Sequence, residues 1–197
     1  MSAAAHQPGP AYLVLAAADT ALAAAGGERA RWVTKPLLMP ALLRRRDRRT
    51  QMALALCGAG DVALLGSSPA AFTTGLGCFL AGHLAWIPAL RARHGGGLLR
   101  RRPVAAVPVV VVCAAFNGYL WNRSGRDRLP VVAYSAVLSG MALAAVDTGV
   151  PRAAAGGGLF VLSDALIAVD RFGGVRLPLH EAWVMATYTT AQALLAS

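Results

Sequence analysis

Residues 159–172 read LFVLSDALIAVDRF, an apolar run interrupted by two aspartates. Asp170 stands beside Arg171 at the polar end of the run, where a helix-end carboxylate can pair with its neighbour. Asp164 falls inside the apolar stretch, with Ser163 as its only polar neighbour. The apolar segment extends back to residue 153 and is long enough to cross a bilayer, whose hydrocarbon core takes roughly 17–25 helical residues. A charged side chain in the middle of such a span costs about 2.5–3.5 kcal/mol, and it marks a functional group by default.

The rest of the chain repeats the pattern. Eight apolar segments cover about 11–25, 32–43, 51–66, 70–90, 103–121, 129–146, 153–170 and 179–196. They are expected to be helices, because backbone polar groups in lipid must be satisfied within the segment. Gly and Pro recur inside them, at Pro36, Pro40, Pro108, Gly75, Gly77 and Gly140, as membrane helices tolerate. No strand-period alternation suggests a barrel, and no linker divides the chain. The expected fold is an all-α polytopic transmembrane bundle of eight helices in one integral membrane domain over 1–197. The short second segment leaves seven spans as the alternative.

Composition supports this class. Of 197 residues, 56% are hydrophobic and only 14% charged, against about 25% charged in soluble domains. The net charge of +10 does not point to nucleic acid, because the arginines cluster between apolar runs rather than interleaving with aromatics. Clusters of this kind mark cytoplasmic loops. With eight spans, loops 44–50, 91–102 and 147–152 carry eleven arginines and the opposite loops seven, which places both termini in the cytoplasm of a bacterial inner membrane. RRRDRR and LLRRR read as topology signals, with anionic-lipid binding as a secondary role. The first ten residues hold no Lys or Arg, so no cleaved leader with a basic start is expected. Cys57, Cys78 and Cys113 are widely spaced within apolar runs, as small buried hydrophobes are. The glycine triplets at 95–97 and 156–158 follow neither the GxGxxG nor the Walker pattern.

The polar residues inside the spans are the candidate site: Asp19, Lys35, Asp61, His83, Asn117, Tyr134, Asp164, Glu181, Tyr188 and Gln192. Under the eight-span topology, Lys35, Asp61, Asn117, Tyr134 and Asp164 all fall in the outward half of their helices, with His83 deeper. Groups at one depth can form one pocket. The structural alternatives are a buried Lys35–aspartate ion pair and a satisfied core histidine at position 83. Asp19 and Glu181, near segment ends, are expected at the interface, and Asp170 is expected to pair with Arg171.

The motifs KPLLMP (35–40), GDVALL (60–65), FTTGLGCFLAGHLAW (72–86), YSAVLSGM (134–141), GGLFVLSDALIAVDRF (157–172) and MATYTTAQALL (185–195) together resemble the YhhN family of integral membrane lysoplasmalogenases. The resemblance covers nearly the whole chain, in order. It implies an eight-helix membrane hydrolase acting on the vinyl ether bond of lysoplasmalogens, with a fatty aldehyde and glycerophosphoethanolamine or glycerophosphocholine as products. It also implies two catalytic membrane aspartates, matched here by Asp61 in GDV and Asp164 in SDALIA. Lys35, His83, Asn117, Tyr134 and Tyr188 are the expected substrate-binding residues. Lysophospholipid and membrane lipids are the expected partners, and no cofactor or metal is called for.

The chemistry fits such a pair. Vinyl ether hydrolysis begins with a proton delivered to the β-carbon, and water then attacks the oxocarbenium ion. Glycoside hydrolysis likewise sets two carboxylates around an oxocarbenium-like transition state. One carboxyl must be protonated near neutral pH, a state that apolar surroundings favour. The other must be ionised, and a neighbouring lysine supports that. The flanks of Asp164 are the more apolar, which makes it the expected acid. Two rival readings are a small lipid transporter, whose aspartates bind protons or substrate, and a metal hydrolase using Asp61, His83, Asp164 and His180.

Overall fold

The computed structural model describes residues 7–43 and 46–197. The reading of the N-terminal leader falls partly on residues 1–6, and the loop count includes Arg44 and Arg45; these lie outside the described residues.

Among the described residues all regular structure is helical. α1 (Pro10–Ala25) starts on a proline that needs no N–H partner and stops at Gly26, whose φ of 71° closes the helix in the left-handed region. α2 (Glu28–Leu43) begins four residues earlier than the apolar pattern suggests, which places Arg29 and Arg31 inside it, and it carries Pro36 and Pro40 in its interior. α3 (Arg48–Ala63) is capped by Asp47, which accepts the backbone N–H groups of Arg49 and Thr50. α4 (Pro69–His94) follows a Ser68 cap. A short α5 (Leu98–Arg101) and a 3-10 turn (Pro103–Ala106) lead into α6 (Val107–Trp121). α7 (Arg128–Asp147), α8 (Pro151–Gly173) and α9 (His180–Ala196) complete the chain. α4, the 103–121 stretch, α7 and α8 are each long and apolar enough to cross a membrane.

Neighbouring helices close into a ring. α1 packs on α2, α2 on α3, α3 on α4, α4 on α7, α7 on α8, α8 on α9 and α9 back on α1. α6 lies outside this ring against α7 and α8. It buries only Cys113 and Leu120, while Val110, Val111 and Val112 are more than half exposed, as a lipid-facing helix requires. The interior is filled by Trp86, Leu38, Leu54, Leu90, Met141, Phe160 and Leu195.

Small residues set the closest approaches, as is usual where membrane helices associate through backbone contact. A Cβ on Gly82 would lie 2.7 Å from the Cys57 sulfur, and one on Gly156 would lie 3.0 Å from the Leu195 backbone nitrogen. Polar clamps hold the two ends. At one end Arg93 donates to the carbonyls of Leu195 (2.9 Å) and Ser197, and Asp147 Oδ1 accepts the N–H groups of Gly97 and Leu99. At the other end Arg31 bridges Asp19 (3.5 Å) and Glu181 (3.6 Å), and Arg176 bridges Glu181 and Asp170.

One expectation, the partner of Asp170, changes here. Asp19, in the clamp at one end of the helices, is fully buried between them, held by Arg31 and by a 2.5 Å hydrogen bond from Thr34. Glu181 is partly exposed, as a helix-end carboxylate can be. Asp170 pairs with Arg176 rather than Arg171, because Arg171 turns the other way and lies over the Phe72 ring.

Candidate active site

Asp61 sits in the last turn of α3, where the helix dipole opposes a negative charge. Two groups from other helices offset this. The Tyr188 hydroxyl on α9 donates to Asp61 Oδ2 at 2.6 Å, and Lys35 Nζ on α2 lies 3.8 Å from Oδ1. Gln192, one turn beyond Tyr188, donates to the same hydroxyl at 3.3 Å. Gly60 leaves room for the Phe79 ring beside the carboxylate, since a Cβ there would fall 2.7 Å from the ring. Asp61 is 2% exposed, so the charge that Lys35 offsets has little water to share it.

Asp164 sits mid-way along α8 with uncharged hydroxyl support. Ser163, the preceding residue, ties α8 to α9 through the Val184 carbonyl at 3.1 Å. The Tyr134 hydroxyl on α7 donates to Asp164 Oδ2 at 2.7 Å, and His83 Nε2 on α4 lies 3.5 Å from the same oxygen. His83 Nε2 is also 3.0 Å from the Tyr134 oxygen. With the tyrosine proton directed at Asp164, the imidazole donates at that contact, which leaves Nδ1 as the acceptor nitrogen. Nδ1 is buried without a partner.

An aromatic wall joins the two carboxylate clusters. The Phe160 ring packs edge-on against His83 at 4.6 Å and against Tyr188 at 5.5 Å, with Phe79 also in contact with Phe160 and Tyr188. In front of this wall is a cavity of about 160 Å³, bordered by Asp61, Asp164, Lys35, Tyr134 and Tyr188. Apart from these groups, Ser135, Ser163 and Arg171, its lining is apolar, with Phe72, Leu76 and Phe79 from α4 and Cys113, Phe116 and Leu120 from α6. Side chains from α2, α3, α4, α6, α7, α8 and α9 therefore meet at one hollow.

Of the seven residues expected at the site, five line the cavity. His83 stands behind Tyr134 and reaches Asp164 without lining the hollow. Asn117 is turned aside: its side-chain amide donates to Ser135 Oγ at 2.7 Å and to the Cys113 carbonyl at 2.8 Å. Its two acceptors are cavity residues, so it braces the wall formed by α6 and α7. His180 lines a separate hollow with Arg31 and Glu181 and does not join His83. Among the described residues no three His, Cys, Asp or Glu side chains come together as a metal site would require. The aromatic lining was not anticipated. Its signal was present in α4, where Phe72, Leu76, Phe79 and His83 recur at helical spacing on one face.

Residues 30–197 match the YhhN family. The chain belongs to the YhhN family. Two proteins named lysoplasmalogenase, from Mycobacterium bovis and Mycobacterium tuberculosis, are each 38% identical to this YhhN chain over 109 residues. That stretch is 52% of this chain and 41% of each relative, so the match spans less than half of the curated relatives' length. No solved structure matches the chain.

Proposed function

We propose that this YhhN protein is a lysoplasmalogenase-type hydrolase that cleaves the vinyl ether of a 1-alkenyl lysophospholipid by carboxyl general acid/base catalysis. The observation that supports this most directly is that Asp61 and Asp164, from helices on different sides of the ring, border one apolar cavity. The relatives named lysoplasmalogenase point the same way.

The two carboxylates differ in their surroundings, and that difference supports opposite roles. Asp61 faces a lysine and serves as the anion. Asp164 faces a tyrosine and a histidine and serves as the proton donor, with Oδ2 occupied by Tyr134 and Oδ1 carrying the transferable proton. Transfer of that proton forms a C–H bond at the β-carbon of the enol ether. The alkene electron pair is consumed, and positive charge develops over the neighbouring carbon and the ether oxygen. Asp61 stabilises this oxocarbenium ion electrostatically, in a site that excludes bulk water. Water then attacks the cationic carbon and returns a proton to Asp164. The resulting hemiacetal collapses: its hydroxyl loses a proton, the glycerol oxygen gains one from Asp164 as its bond to that carbon breaks, and the aldehyde keeps the oxygen that came from water. General acid catalysis supplies about 10²–10⁴-fold, and the fixed charges supply the remainder.

The proposal includes an eight-span topology with both termini cytoplasmic in a bacterial inner membrane, and a lysophospholipid as the bound partner. The test is hydrolysis by purified protein in heavy water. The proposed route puts one deuterium on the carbon next to the aldehyde and leaves the saturated ether analogue intact. Cleavage of the saturated ether, or an aldehyde without that deuterium, contradicts it.

A further inference from the structure

Arg171 is a cavity residue that the carboxylate chemistry does not use. It is exposed, yet it borders the same hollow as Asp61 and Asp164, so it marks where the hollow reaches the surface. Its guanidinium carbon lies 3.5 Å from the centre of the Phe72 ring, a cation–π contact that positions the group without neutralising it. The nearest acidic neighbour in sequence, Asp170, is engaged by Arg176 instead. Among the described residues no carboxylate stands within ion-pair distance of Arg171.

The position of this cation along α8 is informative. Arg171 lies two helical turns beyond Asp164 on the same face; Ala165, Ile167 and Ala168 between them also border the hollow, and Ile167 and Ala168 share that face. Two turns correspond to a rise of about 10 Å. In a 1-alkenyl glycerophospholipid the carbon that takes the proton and the phosphorus are seven bonds apart, joined through the second vinyl carbon, the ether oxygen, the three glycerol carbons and the phosphate ester oxygen. An extended chain of that many bonds reaches roughly 8 Å, and the arginine side chain leans back toward the N-terminus of its helix. A lipid whose reacting carbon is at Asp164 therefore places its phosphate at Arg171.

We infer that Arg171, stacked on Phe72 at the mouth of the cavity, binds the phosphate of a single-chain glycerophospholipid whose reacting carbon lies at Asp164. This rests on the hydrolase reading above. A guanidinium suits the task because its planar fork bonds two phosphate oxygens at once. The glycerol then runs along Ile167 and Ala168, and the alkyl chain fills the apolar side lined by Phe116, Leu120 and Leu138. Selectivity for a phosphate-bearing lipid over a neutral glycerol ether follows from this one side chain.

The test measures binding with ligands that cannot be hydrolysed, on the full chain purified in detergent. The ligands are a saturated alkyl-ether glycerophosphocholine and the alkylglycerol of the same chain length, which lacks the phosphate. Wild type should prefer the phospholipid. Arg171→Ala should weaken the phospholipid by about tenfold and leave the alkylglycerol unchanged, with Arg171→Lys in between. Phe72→Leu should lose part of the same preference. Equal affinities in Arg171→Ala and wild type, or an equal loss for both ligands, overturns the inference. Displacement of the phospholipid by an equal concentration of inorganic phosphate also overturns it, since it would show a free-phosphate site. Because neither ligand is cleaved, a chain that failed to hydrolyse vinyl ethers would sink the proposed activity and leave this result to stand by itself.

Discussion

Asp61 on α3 and Asp164 on α8 border the same cavity, and each has one carboxylate oxygen held by a tyrosine hydroxyl, from Tyr188 at 2.6 Å and from Tyr134 at 2.7 Å. The remaining partners break the symmetry. A lysine stands beside Asp61, and a histidine stands beside Asp164. Two similar groups can thereby take opposite roles in one reaction.

The Lys35–Asp61 pair has a consequence for folding. Removing one member of a buried pair leaves the other charge uncompensated, at a cost of about 3–5 kcal/mol. Asp61→Asn should therefore lower the thermal midpoint of the detergent-purified protein. Adding Lys35→Met should restore most of it, since the orphaned ammonium is then gone. A double variant no more stable than the single one would show that the two side chains do not interact.

The tyrosines should act on activity more than on stability. Tyr188→Phe removes a charge-assisted hydrogen bond to Asp61 and Tyr134→Phe a neutral one to Asp164, about 1.5–3 and 0.5–1.5 kcal/mol respectively, and both keep the ring packing, on Phe160 and on His83. A fall of about 10–100-fold in turnover is expected, with thermal midpoints lowered only by the few degrees that one hydrogen bond accounts for. Unchanged turnover in both would separate the hydroxyls from the chemistry.

Asp47 gives a prediction outside the spans. Partial burial works against its charge, but the Thr50 hydroxyl, the backbone N–H groups of Thr50 and Arg49, and nearby Arg93 outweigh that and hold the carboxyl below its ordinary range. A folded-state value below the unfolded one means that its stabilisation is present above the unfolded value near 3.8 and is lost as pH falls through the lower folded value. Asp47→Ala should cost about 1 kcal/mol at neutral pH through loss of the α3 cap. Thermal melting of both proteins from pH 7 down to strong acid should show the gap narrowing at the acid end. A gap that widens as the pH falls would refute the assignment.

Gly156 tests the ring closure. A larger side chain there meets the Leu195 nitrogen at 3.0 Å and the Ala191 carbonyl at 3.1 Å, both backbone atoms of α9 that cannot turn away. Gly156→Val should destabilise by about 1–3 kcal/mol, whereas the same change at Gly158, where nothing lies within 4 Å, should be close to neutral. Equal melting of the two variants would contradict the close α8–α9 contact.

Much of this was legible from residue order. Each apolar segment falls on a helix among the described residues, and four of these helices are long and apolar enough to cross a membrane, because the need to satisfy backbone groups leaves little freedom. The carboxylates stood out because charge is rare in such segments. What could not be read was partnership. Nothing in the order of residues shows that Tyr188 reaches back 127 positions to Asp61, or that Asn117 turns from the cavity toward Ser135. The burial of Asp19 was hidden for the same reason: its partner Arg31 reads as a loop arginine until α2 is seen to begin at Glu28. The break between Asp170 and Arg171 depends on a stacking partner, Phe72, on another helix.

The most direct measurement is aldehyde release from a 1-alkenyl lysophospholipid by wild type, Asp61→Asn and Asp164→Asn, purified in parallel and shown by melting to be folded under assay conditions. Wild type should release aldehyde, and each variant should lose at least about a hundredfold. Wild-type activity in either folded variant would contradict a reaction carried by two carboxyl groups.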